Sequence, residues 1–258
     1  ADFKPEECFP NIIRHSLNYI NEQKDSKKPF FLYLPITAPH TPILPSKEFQ
    51  GKTSIGPYGD FVVMIDDMVR QIVKTLKKNK QLDNTIIVFA SDNGLSVGHH
   101  GLIGKQSMYD HSAKVPLAFC GLGLPTGEVR NQLIYLQDLV PTVYDLVGIK
   151  KPNHLEFISQ INALKSSKAS SHRKAIYSAY LQEAQRMVTD GHYKLFFIPA
   201  SKDAYLFDLE KDPQETNNLF GSPQYKRIVK RLCAEYQKLS KESGDTFNLA
   251  AIYPELFQ

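Results

Sequence analysis

An apolar run, Ile86-Ile87-Val88-Phe89, stops abruptly at Ser91-Asp92-Asn93-Gly94. A short continuous apolar stretch bounded by turn formers suits a strand covered on both faces, the kind found in layered α/β folds. The loop that follows is rich in Gly and His and carries Lys105 in a Gly-Lys-Gln step. A buried strand ending in two oxygen-bearing side chains, then a flexible loop with a lone cation, can build a site for an anion and a metal ion.

The flanking sequence agrees with an α/β layer. Ile13, Leu17 and Ile20 stand at helical spacing within residues 10–24. Phe30 to Leu34 reads as another strand buried on both faces, closed by Pro35 and Pro39. Between Tyr58 and Asn79, Phe61, Ile65, Met68, Val69, Ile72, Val73 and Leu76 form a stripe of period 3.6. Further strands are expected at Asn84–Ala90 and Val115–Phe119, and a helix capped by Asp138 running through Val147. This alternation predicts a mostly parallel, doubly wound sheet over residues 1–150. Residues 151–174 are polar and Ser/Lys-rich, a linker or surface excursion. A small antiparallel α+β subdomain is expected over 175–258. There Asp190-Gly191 joins two β-prone runs, Tyr205 to Leu209 adds a strand, and Pro223 to Lys241 forms a closing helix.

Composition narrows the functional classes. With 31 basic and 27 acidic residues the net charge is +4, too even to argue for nucleic acid. No apolar stretch approaches the roughly 20 residues of a membrane span. Cys8, Cys120 and Cys233 are odd in number and widely spaced, so free or buried thiols are expected rather than a disulfide framework.

Each chemistry-bearing residue has an ordinary reading beside the functional one. Asp92 and Asn93 are hard oxygen donors that can turn toward one ion, but Ser-Asp-Asn-Gly also consists of common turn residues. Lys105 can meet a sulfate or phosphate oxygen as a point charge, or simply be solvated. His40, in Ala38-Pro39-His40-Thr41-Pro42, can move a proton near neutral pH or serve a structural role. Adjacent His99 and His100 lack the further ligands that zinc needs. His99 is expected to face solvent and His111 to be structural.

Together these segments resemble the sulfatases (arylsulfatase type) of the alkaline phosphatase superfamily. Ser91-Asp92-Asn93-Gly94 matches the family's Ser-Asp-[Asn/His]-Gly step. His100-Gly101-Leu102-Ile103-Gly104-Lys105, then Tyr109 and Lys114-Val115-Pro116, looks like its HGLxGK…Y…RVP stretch, with Lys114 where arginine is usual. Phe30 to Pro42 is similar to the family's His-bearing segment. Asp138 to Ile149, Arg186 to Leu195 and Tyr205 to Leu219 resemble its DLxPTxxxLxGI, RxxxxGxYKL and ELYDLxxDPxExxNL stretches, so the matches run in order from about residue 29 to 220.

The resemblance implies an alkaline-phosphatase-like fold and a sulfuric ester hydrolase acting on a sulfated small molecule or sugar. It implies Asp92 and Asn93 as calcium ligands, Lys105 and His40 on the sulfate, and His100 lining the substrate pocket. It also implies a lysosomal, secreted or periplasmic setting. The family's formylglycine nucleophile arises in a Cys/Ser-x-Pro-Ser-Arg motif, whereas Cys8-Phe9-Pro10 is followed by Asn11 and Ile12. Nothing upstream of Phe30 resembles the strand that ends in the family's Asp pair, and Asp66-Asp67 lies mid-helix. The chain therefore resembles the second half of a sulfatase, with the sheet's first strands missing and a companion N-terminal half expected; alone it is expected to be incomplete and inactive. The alternatives are a phosphodiester or phosphonate hydrolase of the same superfamily, or a non-catalytic fragment.

Overall fold

Both helices expected near the N-terminus form, as α1 (Pro5–Glu22) and α2 (Pro57–Lys78). Each starts on a proline, tolerated there because a first-turn N–H has no intrahelical acceptor. The computed structural model describes residues 3–181 and 184–257. It divides into two compact units, residues 1–87 and 88–258.

In the first unit α1 and α2 pack through Phe9, Ile13, Phe61, Met64, Ile65 and Met68, with the Phe9 and Phe61 rings edge to face at 5.9 Å. At the C-terminal end of α2 the Asn79 amide donates to Asn21 Oδ1 at 3.1 Å. The segment from Phe30 to Leu34 corrects the sequence reading. It forms no strand among the described residues. Its burial does alternate as in an extended chain: Leu34 and Ile36 pack on the helix pair, while Phe31 and Tyr33 are 79% and 76% exposed. An extended segment becomes a strand only beside another, and the described part of residues 1–87 otherwise holds helices and loops.

The second unit contains β1 (Ile87–Ala90) from its second residue on, paired with β4 (Leu117–Cys120). Between them the chain forms a small antiparallel hairpin, β2 (Ser96–Val97) with β3 (Ile103–Gly104), and the short helix α3 (Asp110–Ala113). Of the doubly wound sheet expected over residues 1–150, the described residues thus hold one pair of strands.

Helix α4 (Leu139–Leu146) forms, but Asp138 does not cap it with its side chain. That carboxylate is 1% exposed and instead accepts from the backbone N–H groups of Tyr135 and Ile158, both at 3.0 Å, and from the Arg173 guanidinium at 2.5 and 2.8 Å. A buried ion paired with a fork of donors outcompetes a cap that would satisfy a single N–H. Within residues 151–174 lies the short helix α5 (Ile161–Lys165), whose Ala163 and Leu164 carbonyls accept from Arg130.

The remainder is an antiparallel sheet in sequential order: β5 (Ile176–Tyr180), β6 (Gln185–Thr189), β7 (Tyr193–Ile198) and β8 (Asp203–Asp208). The expected Asp190-Gly191 turn joins β6 to β7. Asp190 Oδ1 accepts from the His192 and Tyr193 N–H groups, and Gly191 takes the φ of +90° that the turn requires. Helix α6 (Lys226–Glu242) lays Val229, Leu232 and Tyr236 on one face of this sheet, against Val188, Leu195, Phe197 and Leu206. The strand period of two sends Phe196 and Phe207 to the other face, where they meet Met108 and Tyr109. The sheet therefore separates α6 from the loop that carries the candidate site residues.

Candidate functional site

The turn after β1 is shaped by a close backbone approach. Gly94 N–H donates to the Ser112 carbonyl at 2.9 Å, and a Cβ on Gly94 would lie 2.1 Å from the His111 carbonyl oxygen. Only glycine fits there without movement. Asn93 is held at the same turn, its side-chain N–H donating to the Gly94 carbonyl at 2.7 Å. Its Oδ1 faces the other way and accepts from Lys105 Nζ at 2.9 Å. Lys105 follows Gly104, whose φ of +118° turns the chain at the end of β3. The hairpin is closed by Ser96, 1% exposed, whose hydroxyl is within hydrogen-bond reach of the His99 and Leu102 carbonyls.

Asp92 is exposed, and its carboxylate makes no hydrogen bond or ion pair among the described residues. Of the sequence-predicted residues the fold thus joins Asn93 and Lys105 directly, with Asp92 adjacent in the chain. His100, at a left-handed φ of +54°, stacks on Tyr109 with ring centroids 3.8 Å apart. His99 is exposed, as expected, and its ring lies 6.0 Å from that of His111. Burial, then the neighbouring His100 and His99, holds His111 below the ordinary imidazole range. His40 belongs to the first unit, where its Nδ1 lies 2.8 Å from the Thr41 carbonyl, between two cis X-Pro bonds.

Carboxylate and amide oxygens are the hard donors that calcium takes, but calcium takes six to eight of them. Asp92 and Asn93 fit such an ion in kind and would supply a minority of its shell. Among the described residues no group of three or more His, Cys, Asp or Glu is placed to hold a metal ion.

Sequence reasoning missed what holds the loop in place. Lys194, 1% exposed in β7, reaches through the sheet's site-facing side to Asp110, to Glu215 at 2.7 Å and to the Met108 carbonyl at 3.1 Å. Glu215 in turn accepts from the Asp110 N–H at 2.6 Å. Burial raises the Glu215 carboxyl above the ordinary range, against the opposing pull of Lys194. Gln185 of β6 grips the same stretch, accepting from Met108 N–H at 3.0 Å and donating to the Gln106 carbonyl at 3.2 Å. The available signal was a lysine inside the otherwise apolar run from Tyr193 to Ile198. The turn after β8 lies near His100 as well. Burial would raise the Asp212 carboxyl, but hydrogen bonds from Asn217 and Thr216, with the charge of His100, hold it low.

A family model for the sulfatases matches residues 10–149. The chain belongs to the sulfatase family. A second model, for the C-terminal part of N-sulphoglucosamine sulphohydrolase, matches residues 98–242 of this sulfatase chain. An N-acetylgalactosamine-6-sulfatase of Sus scrofa is 36% identical over 151 residues, covering 55% of this chain and 29% of its own length. An arylsulfatase of Clostridium perfringens is 25% identical over 264 residues, covering 84% and 54%. A Bacteroides fragilis protein assigned to the sulfatases shares the fold, with a TM-score of 0.79 at 23% identity over 93% of this chain and 60% of that one. Another similar structure is in complex with its substrate D-glucosamine-2-N,6-O-disulfate, with a TM-score of 0.68 at 26% identity over 74% and 41%. This sulfatase chain spans about half or less of the length of the curated relatives it matches. Its fold is mixed α/β with a small antiparallel sheet, as in those neighbours.

Proposed function

We propose that the protein to which this chain belongs hydrolyses sulfate esters of sugars, with calcium and a formylglycine nucleophile, and that Asp92, Asn93, Lys105, His100 and His40 act in that reaction. The observation that carries the reading is the 2.9 Å approach of the Lys105 ammonium to Asn93 Oδ1 beside an unpaired Asp92 carboxylate. A cation held by an oxygen donor at the end of a strand can meet an incoming sulfate oxygen without prior rearrangement.

Calcium, when bound, polarises a sulfate oxygen as a Lewis acid, and Asp92 with Asn93 would be part of its oxygen shell. Lys105 then supplies a fixed positive charge for the oxygens on which negative charge grows. His100, with its ring already pinned flat against Tyr109, lines the pocket without needing to be ordered on binding. His40, whose Nδ1–H donates to the Thr41 carbonyl, would pass a proton to the leaving oxygen from Nε2 when its ring is doubly protonated. The sugar-sulfate substrate class is supported by relatives named as N-acetylgalactosamine-6-sulfatase and N-acetylglucosamine-6-O-sulfatase.

The nucleophile and the remaining calcium ligands are assigned to an N-terminal half acting as companion to this chain, which alone is expected to be inactive. Within the chain, residues 1–150 are proposed as part of the catalytic α/β domain, 151–174 as the connection, and 175–258 as the α+β subdomain. In the complete protein, Asp92→Ala and Lys105→Ala should each lower kcat/KM on a sulfated sugar about a hundredfold or more, the scale of losing one preorganised charge stabiliser. Unchanged turnover in either variant overturns the assignment. Faster turnover of an aryl phosphate diester than of an aryl sulfate would move the reading to phosphodiester hydrolysis.

A further inference from the structure

Helix α6 carries a cationic face that works against its own stability. At about 100° per residue, Lys226, Arg227, Lys230, Arg231, Lys238 and Lys241 fall within an arc of about 140°, and all six are exposed. Ala234 and Gln237 complete the arc, so it contains no acidic and no aromatic residue. Arg231 pairs with Asp190 at 2.6 Å, while the other five make no ion pair among the described residues.

Two local rules are broken. Lys226 and Arg227 sit in the first turn, which has no acidic residue, at the positive end of the helix dipole. Lys226–Lys230, Arg227–Lys230, Arg227–Arg231 and Lys238–Lys241 are like-charge neighbours at three- or four-residue spacing, each costing about 0.2–0.5 kcal/mol. Among the described residues the one ion pair that offsets this is Arg231–Asp190. The opposite face of α6 is spent on the sheet through Val229, Leu232 and Tyr236. A row of unneutralised cations about 22 Å long, at 1.5 Å per residue, would be relieved by one extended polyanion lying along it.

We propose that the exposed face of α6 is a docking surface for a sulfated polysaccharide, separate from the site around Lys105 on the other side of the sheet. The polymer is the same chemical class as the proposed substrate, so the inference rests on that reading. A bilayer is disfavoured because the apolar face of α6 is buried and cannot insert. Single-stranded nucleic acid is disfavoured because the arc offers no ring on which a base can stack.

The test is heparin binding by the complete protein at 150 mM NaCl, compared with a variant carrying Arg227→Glu, Lys230→Glu and Lys238→Glu. The wild type should bind, more weakly as salt rises, and the variant should lose at least tenfold in affinity while keeping its circular dichroism spectrum and its turnover of a monosaccharide sulfate. No wild-type binding, or equal binding by the variant, overturns the proposal, as does a DNA duplex of the same charge binding as tightly as heparin. Because heparin binding is read without catalysis, a failed hydrolase assignment and a failed docking assignment give different results.

Discussion

At Gly94 a single hydrogen atom in place of a side chain decides whether the turn after β1 can close. The His111 carbonyl lies where a methyl group would stand, and that approach also sets the turn bearing Asn93. Gly94→Ala should therefore overpack the site and destabilise the protein by about 1–3 kcal/mol, measured by urea unfolding. If the turn survives by shifting, Lys105 and Asn93 separate and activity falls instead. A stable and fully active variant would show that this packing does not matter. Asp92 is the complementary case: among the described residues nothing holds its carboxylate, so any role it has comes from a ligand.

Among the elements, β7 does the most to position the site loop. Its alternation delivers Leu195 and Phe197 to α6, and Lys194 and Phe196 to the stretch containing Met108, Tyr109 and Asp110. Replacing Lys194 with Met leaves the Asp110 and Glu215 carboxylates facing each other without their shared cation. Such removal of one partner from a buried ionic cluster costs about 3–5 kcal/mol. Lys194→Met should lower the unfolding free energy by that amount and raise amide exchange at Met108 and Asp110, whose N–H groups donate to Gln185 and Glu215. Unchanged exchange there would mean the loop is held by its aromatic packing alone.

For the molecule as a whole, acid stability depends on a second buried cluster. Burial would raise the Asp245 carboxyl, but the Arg186 guanidinium, the Tyr177 hydroxyl and the Phe247 N–H hold it down at about 2, against an ordinary value of 3.8. A depressed carboxylate contributes stability that is present above the unfolded pKa and lost as pH falls through the folded one. Wild type should thus be more stable than Asp245→Asn at neutral pH, with the gap closing between about pH 4 and pH 2 in thermal melts. A gap constant over that range would contradict it. All three cysteines are free, with Cys120 exposed and the Cys233 thiol pushed by burial up to about 12, as the odd count and wide spacing suggested. No helix among the described residues is long and apolar enough to cross a membrane.

The sequence by itself determined the helices α1, α2, α4 and α6, the Asp190-Gly191 hairpin and the family, because each is written in a periodicity or a short ordered motif that neighbours in the chain can read. It could not tell that Phe30 to Leu34 would lack a strand partner, since pairing depends on what lies alongside rather than on the run itself. Nor could it tell that Asp138 would abandon a cap for Arg173, or that Lys194 would be the post supporting the site loop. Those outcomes join residues 35 and 84 positions apart, and only the folded chain brings such charges out of water together.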